Sequence, residues 1–149
     1  MVQPGRDCSR RERATVGHLL GDAALEHPHA AGEQRVEVAN IDLTVTVVRR
    51  LSWIVMARAT RALLEHERIH YLIAICVGRN LHEDAFSTSA SSTSALQTTL
   101  NSLRTEAAQS VQQLSDRYDR DTNHGAITSQ QTVWAARVNR WYTTGFKEW

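Results

Sequence analysis

Between residues 41 and 47 the chain alternates. Ile41, Leu43, Val45 and Val47 are separated by Asp42, Thr44 and Thr46. A period of two with β-branched enrichment predicts a half-buried strand. A short strand over 35–39 precedes it, and Trp53, Ile54 and Val55 would extend the sheet. Residues 1–34 are polar and weakly patterned, with a short helix over 15–26 as their one ordered stretch. This places a weakly structured N-terminal segment ahead of a single domain over 35–149.

The period then lengthens. From about 56 to 79 the residues are good helix formers without proline, and Ala59, Leu63, His66, His70, Ile73 and Val77 make one stripe. Gly78 and Asn80 read as its stop signals. The serine- and threonine-rich run 86–99 reads as a loop or solvated helix start. Leu96, Leu100, Leu103, Ala107, Val111, Leu114 and Tyr118 predict a second amphipathic helix over 94–118. "DRYDRDTNHG" ends it with turn-forming residues. Thr128 and Gln131 have the spacing of a capping box for a last helix to about 142, with Val133, Trp134, Val138, Trp141 and Tyr142 on its inner side. The fold class that follows is α+β: a small N-terminal sheet packed on three helices.

A chain of 149 residues with 42% hydrophobic and 22% charged residues is sized and composed for one globular core. The net charge of +1 offers no field for a polyanion, and the arginines of "RDCSRRER" are not interleaved with aromatics, so no nucleic-acid partner is expected. No apolar run approaches the roughly 20 residues needed to span a bilayer, and no signal-peptide core is visible near the start. The two cysteines, Cys8 and Cys76, lack a metal-type pairing, and Cys76 in "YLIAICVG" reads as a buried free thiol.

The chemistry lies in "LLEHERIHYLIA". On a helix, His66 and His70 stand one turn apart on the same face and can converge on one tetrahedral zinc ion. Glu67 is rotated by about 100° from His66, so its carboxylate reaches a metal-activated water instead of the metal. That division of labour defines H-E-x-x-H: two ligands and a general base. The competing reading is a pair of partly buried histidines bonded to backbone.

A catalytic site needs a third protein ligand. Ile73 and Cys76 occupy the positions where a glycine and a third histidine would continue the motif. Cys76 is turned by about 120° from His70 and does not join the site. Glu83 in "NLHEDAF" is one candidate. "YDRDTNHG" is a better one, offering His124, Asp119 and Asp121 in a turn between helices. There the rival reading is that Asp119, Thr122 and Asn123 only cap and turn the chain.

Taken together, "LSW", the H-E-x-x-H segment, "VGRNL", "YDRDTNHG" and "QQTVW" resemble the bacterial family of predicted secreted zinc-dependent proteases, a domain of unknown function. The resemblance runs from about Val36 to Tyr142. It implies a small zincin-like hydrolase with His66 and His70 as ligands and Glu67 as base. It also implies His124 as third ligand, with Asp119 as rival ligand or as a partner orienting a ligand histidine. Tyr118 enters as a donor to the oxyanion of a tetrahedral intermediate, or as core. A secreted or periplasmic location follows from the family and a cytoplasmic one from the missing export signal.

The expected function is therefore a zinc metallopeptidase acting on a peptide or protein substrate, with no membrane partner and an open oligomeric state. The alternatives are a catalytically inactive metal-binding module and a metal-free helical interaction domain.

Overall fold

The structure is a computed structural model, and it describes residues 14–28, 34–47 and 60–145. The architecture is α+β. Strand β1 (Ala14–Pro28) pairs antiparallel with β2 (Gln34–Val47), and the two-residue β3 (Ser89–Ala90) adds to the other edge of β2. Three helices complete the fold: α1 (Arg61–Phe86), α2 (Thr93–Thr122) and α3 (Thr128–Thr144). The anticipated strand over 53–55, the start of the first helix at 56 and Cys8 lie outside the described residues.

Strand β2 unites the two short strands read from the sequence, and a bulge explains why they looked separate. Asp22 pairs with Asn40 while the next residue, Ala23, pairs with Val38, so Ala39 is an extra residue on β2. One inserted residue reverses which side chains face inward. Val36 and Val38 are buried before the bulge; beyond it Ile41, Leu43 and Val45 take the inner face. The helix expected over 15–26 is instead β1, since pairing with β2 satisfies that backbone and tertiary pairing overrides a short local period.

Helix α1 opens at Thr60, whose hydroxyl accepts from the Leu63 amide at 3.1 Å. It runs through Gly78 and Asn80, the expected stops, to Phe86. Gly78 has another purpose: a Cβ there would meet Val45 Cγ2 at 3.2 Å and Leu43 Cδ2 at 3.6 Å. The missing side chain lets the helix lie close against β2. The serine-rich run becomes the connection and a cap, with Ser92 Oγ accepting from the Ala95 amide at 3.2 Å.

The apolar stripe expected on α2 faces inward throughout: Leu96, Leu100, Ala107, Val111 and Tyr118 are buried, and Leu103 and Leu114 half-buried. The main core joins Ile69, Ile73 and Val77 of α1 to Val111 and Tyr118 of α2 and to Trp134 and Val138 of α3. A smaller cluster of Val36, Val38, Ala85, Leu96 and Leu100 sits beneath the sheet. On α3, Trp134, Val138 and Trp141 are buried, whereas Val133 and Tyr142, expected on the inner side, are exposed. Cys76 is a buried free thiol, as its apolar surroundings predicted.

Candidate metal centre

Three helices meet at the N-terminal part of α1. His66 and His70 project from successive turns of that helix, as the i, i+4 spacing requires. Opposite them stands Asp119. The Asp119 Oδ1 atom lies 3.1 Å from His66 Nε2 and 2.9 Å from His70 Nε2, and the two Nε2 atoms are 3.2 Å apart. His66 and Asp119 are 3% and 5% exposed, and the His70 side chain is nearly as enclosed.

Asp119 reaches this position because α2 is longer than its composition suggests. "DRYDRDTN" reads as a turn, yet the helix continues to Thr122. The Thr122 hydroxyl donates to the Tyr118 carbonyl at 2.8 Å and accepts from the Gly125 amide at 3.2 Å, binding the last turn to the loop that follows. Asn123, His124 and Gly125 then adopt left-handed backbone with φ of 47°, 53° and 85°, which reverses the chain. The His124 amide donates to the Asp119 carbonyl at 2.9 Å and that of Ile127 to the Thr122 carbonyl at 2.8 Å.

Of the candidates for a third ligand, the structure brings one against the histidine pair. His124 is 60% exposed at the rim of the site, with Nδ1 3.7 Å from Asp119 Oδ1, and it is Asp119 that closes on the histidine pair. The reason is helical: Asp119 follows the buried Tyr118 on a continuous turn aimed at α1, whereas His124 has already passed the reversal. Glu83 is exposed on the far part of α1, remote in sequence from the cluster, and Asp121 is engaged elsewhere, accepting from Trp134 Nε1 at 3.0 Å.

Tyr118 takes the core place that was the alternative to an oxyanion donor. Its ring stacks on His66 with centroids 4.6 Å apart and meets His70 edge-on at 4.9 Å. It is fully buried, its hydroxyl included. Burial pushes the phenol well above the ordinary tyrosine range. The side chain is a platform for the two imidazoles. Glu67 is half-buried beside them, and its charge acts on both His66 and Tyr118.

Two features of α3 were misread or unread in the sequence. The capping box of Thr128 and Gln131 does not form: the N-cap is Ile127, with no side-chain bond. Gln131 Oε1 instead lies 3.3 Å from His66 Nδ1, and Trp134, one turn on, packs on Tyr118 with centroids 5.4 Å apart. The shared face of Gln131 and Trp134, three residues apart, was the available signal. Gly125 packs its backbone against His66, where a Cβ would come within 3.2 Å of Cγ and Nδ1.

The donor geometry suits a small cation. Four ligand atoms at about 2.0–2.1 Å from a zinc ion define a tetrahedron with edges of about 3.3 Å. The three edges found, 2.9, 3.1 and 3.2 Å, are close to one face of it. The hydrogen bonding agrees. An amide oxygen only accepts, so Gln131 places an N–H on His66 Nδ1, and in the neutral ring Nε2 then presents a lone pair toward a carboxylate oxygen. Positive charge is what such a cluster wants. Burial disfavours charge on His66, but its bonds to Asp119 and Gln131 outweigh this and raise its pKa; burial likewise raises Asp119, and the bonds from His66 and His70 outweigh it, holding that carboxyl below the usual range.

The family model for bacterial proteins of unknown function (DUF922) matches residues 28–125, about two thirds of the chain. The chain belongs to this family. The matched region of this DUF922 protein holds β2, all of α1 and α2, and therefore His66, Glu67, His70 and Asp119. It stops at Gly125, so Gln131 and Trp134 lie beyond it. No curated protein and no solved structure matches the chain. No helix among the described residues is long and apolar enough to cross a membrane.

Proposed function

We propose that this protein is a zinc-dependent peptidase whose metal is held by His66, His70 and Asp119, with Glu67 as general base. The observation that carries the reading is the near-tetrahedral face of His66 Nε2, His70 Nε2 and Asp119 Oδ1, with a carboxylate one residue past the first histidine. Two imidazoles and one carboxylate are a catalytic zinc set, leaving one position for water or substrate. Bound zinc would supply Lewis acidity, lowering the pKa of a water toward about 7 and polarising the scissile carbonyl.

The chain's own residues do the rest. Tyr118 stacks on the His66 ring, and the Gly125 backbone lies against its Cγ and Nδ1 atoms. Glu67 sits on the next helical position, where its carboxylate takes the proton of the attacking water and delivers it to the leaving amine. The location, secreted or periplasmic as the family resemblance implies, belongs to the same proposal.

One observation favours a second reading. His124 Nδ1 is 3.7 Å from Asp119 Oδ1, with its side chain exposed at the rim. Were it to fill the fourth position, the site would be a closed metal-binding module without hydrolytic activity.

Metal analysis of purified protein, paired with cleavage of a peptide library by wild type and Glu67→Gln, tests both. The peptidase reading expects one zinc per chain in each protein and a loss of cleavage of about 10²–10⁴-fold in the variant. Zinc without cleavage in either protein supports the closed module. Absence of zinc from the wild type defeats both.

A further inference from the structure

We infer that Gln131 is a positioning residue for the metal centre: its amide oxygen fixes the proton of His66 on Nδ1 and so commits Nε2 to the metal. The inference rests on the zinc reading above, and it adds a residue of α3 that lies outside the family match and outside the donor set.

Several independent contacts converge on it. The Gln131 side chain leaves the first turn of α3, where it could have served a cap, and reaches across to His66 Nδ1 at 3.3 Å. It accepts at the one ring nitrogen that faces away from Asp119 and His70. The ring has little freedom to answer by turning, because Tyr118 is stacked on it at 4.6 Å and the Gly125 backbone lies against its Cγ and Nδ1 atoms. With the plane set by packing, the tautomer is the remaining variable, and the partner of Nδ1 decides it.

The other end of the same amide strengthens the point. Gln131 Nε2 is buried without a hydrogen-bond partner among the described residues, as is the Tyr118 hydroxyl. An unbonded buried N–H₂ group costs folding free energy that a leucine or methionine of similar size would not. The bond to His66, together with the amide's polar contact with the Tyr118 hydroxyl, distinguishes glutamine from those residues here. A capping or packing role would be met without it.

Zinc affinity by chelator competition, together with ¹⁵N NMR of the His66 ring in the zinc-loaded protein, tests the assignment in wild type, Gln131→Leu and Gln131→Glu. The expected result is a loss of about 10–100-fold in zinc affinity for Gln131→Leu, with recovery to within a few-fold in Gln131→Glu, which keeps an oxygen acceptor. The NMR signature expected is a protonated Nδ1 and a metal-bound Nε2 in wild type. Circular dichroism of the metal-free proteins separates this from misfolding; if Gln131→Leu does not fold, the unbranched Gln131→Met takes its place. Unchanged zinc affinity in a folded Gln131→Leu or Gln131→Met, or a proton found on Nε2, overturns the role of Gln131 alone. Wild-type protein that binds no zinc overturns the metal reading itself.

Discussion

Gly125 and His66 touch without a side chain between them: any Cβ at residue 125 would stand 3.2 Å from the imidazole Cγ and Nδ1. The same residue has φ of 85°, in the left-handed region that L side chains rarely adopt. Both constraints act on one position. Gly125→Ala is therefore expected to destabilise the fold by about 2 kcal/mol or more, combining backbone strain with displacement of a buried ring. Zinc affinity should fall with it. Denaturant midpoints and chelator competition measure the two effects, and an alanine variant as stable and as tight as wild type would show that the contact is slack.

Asp119 stands against the histidine pair, and His124 lies at the rim of the site. Asp119→Ala is expected to weaken zinc binding by more than the roughly 10–100-fold typical of an outer hydrogen-bond partner. His124→Ala should leave one zinc per chain and change affinity only a few-fold. Titration of both variants against a calibrated chelator checks this. The reverse order of effects would restore His124 to the donor set and reduce Asp119 to an orienting partner.

Tyr118→Phe separates the platform from the hydroxyl. The ring keeps its stack on His66, and an unpartnered buried hydroxyl is removed. Thermal melts should show stability unchanged or raised by about 1 kcal/mol, with zinc retained. Tyr118→Ala should lose several kcal/mol through the cavity it leaves, and zinc affinity with it. If Tyr118→Phe instead keeps zinc but cleaves peptides far more slowly, the hydroxyl reaches the reacting atoms after all.

The metal-free and zinc-loaded proteins should respond to pH in opposite directions. Without metal, the raised pKa of His66 contributes stability that is complete below about pH 6.5 and lost as pH rises through the folded value. The lowered pKa of Asp119 contributes stability present above about pH 3.9 and lost as pH falls through the folded value. The site of the chelated protein is thus most stabilising between about pH 4 and 6.5. Zinc needs unprotonated imidazoles, so its contribution grows as pH rises over the same histidine range. The gap in Tm between zinc-loaded and chelated protein should widen from pH 5.5 to pH 8. A gap that is constant across that range would place the bound zinc on groups other than these histidines.

Local periodicity was enough for the helices and for part of the site. The stripes of α1 and α2 are short-range repeats, and a helix with histidines four apart has to present them together wherever it packs. His66, Glu67 and His70 were therefore readable as a unit. Asp119 was visible as a candidate and no more, because the residues around it favour a turn when considered alone. The burial of Tyr118 and the bond from the Thr122 hydroxyl carry the helix past them.

Tertiary structure decided what local pattern could not. Strand β1 exists because β2 offers its backbone a partner, and the bulge at Ala39 sets which face of β2 turns inward. Gly78 continues a helix where its type suggested an end, since closeness to Val45 matters there more than helix propensity. Gln131 has the spacing of a cap but bonds a histidine 65 positions away. One-dimensional order determines which groups share a helical face, because that depends only on the turn angle. Which faces meet, and so which carboxylate comes to stand against the histidine pair, depends on how three helices bury their apolar sides together, and only the folded chain expresses that.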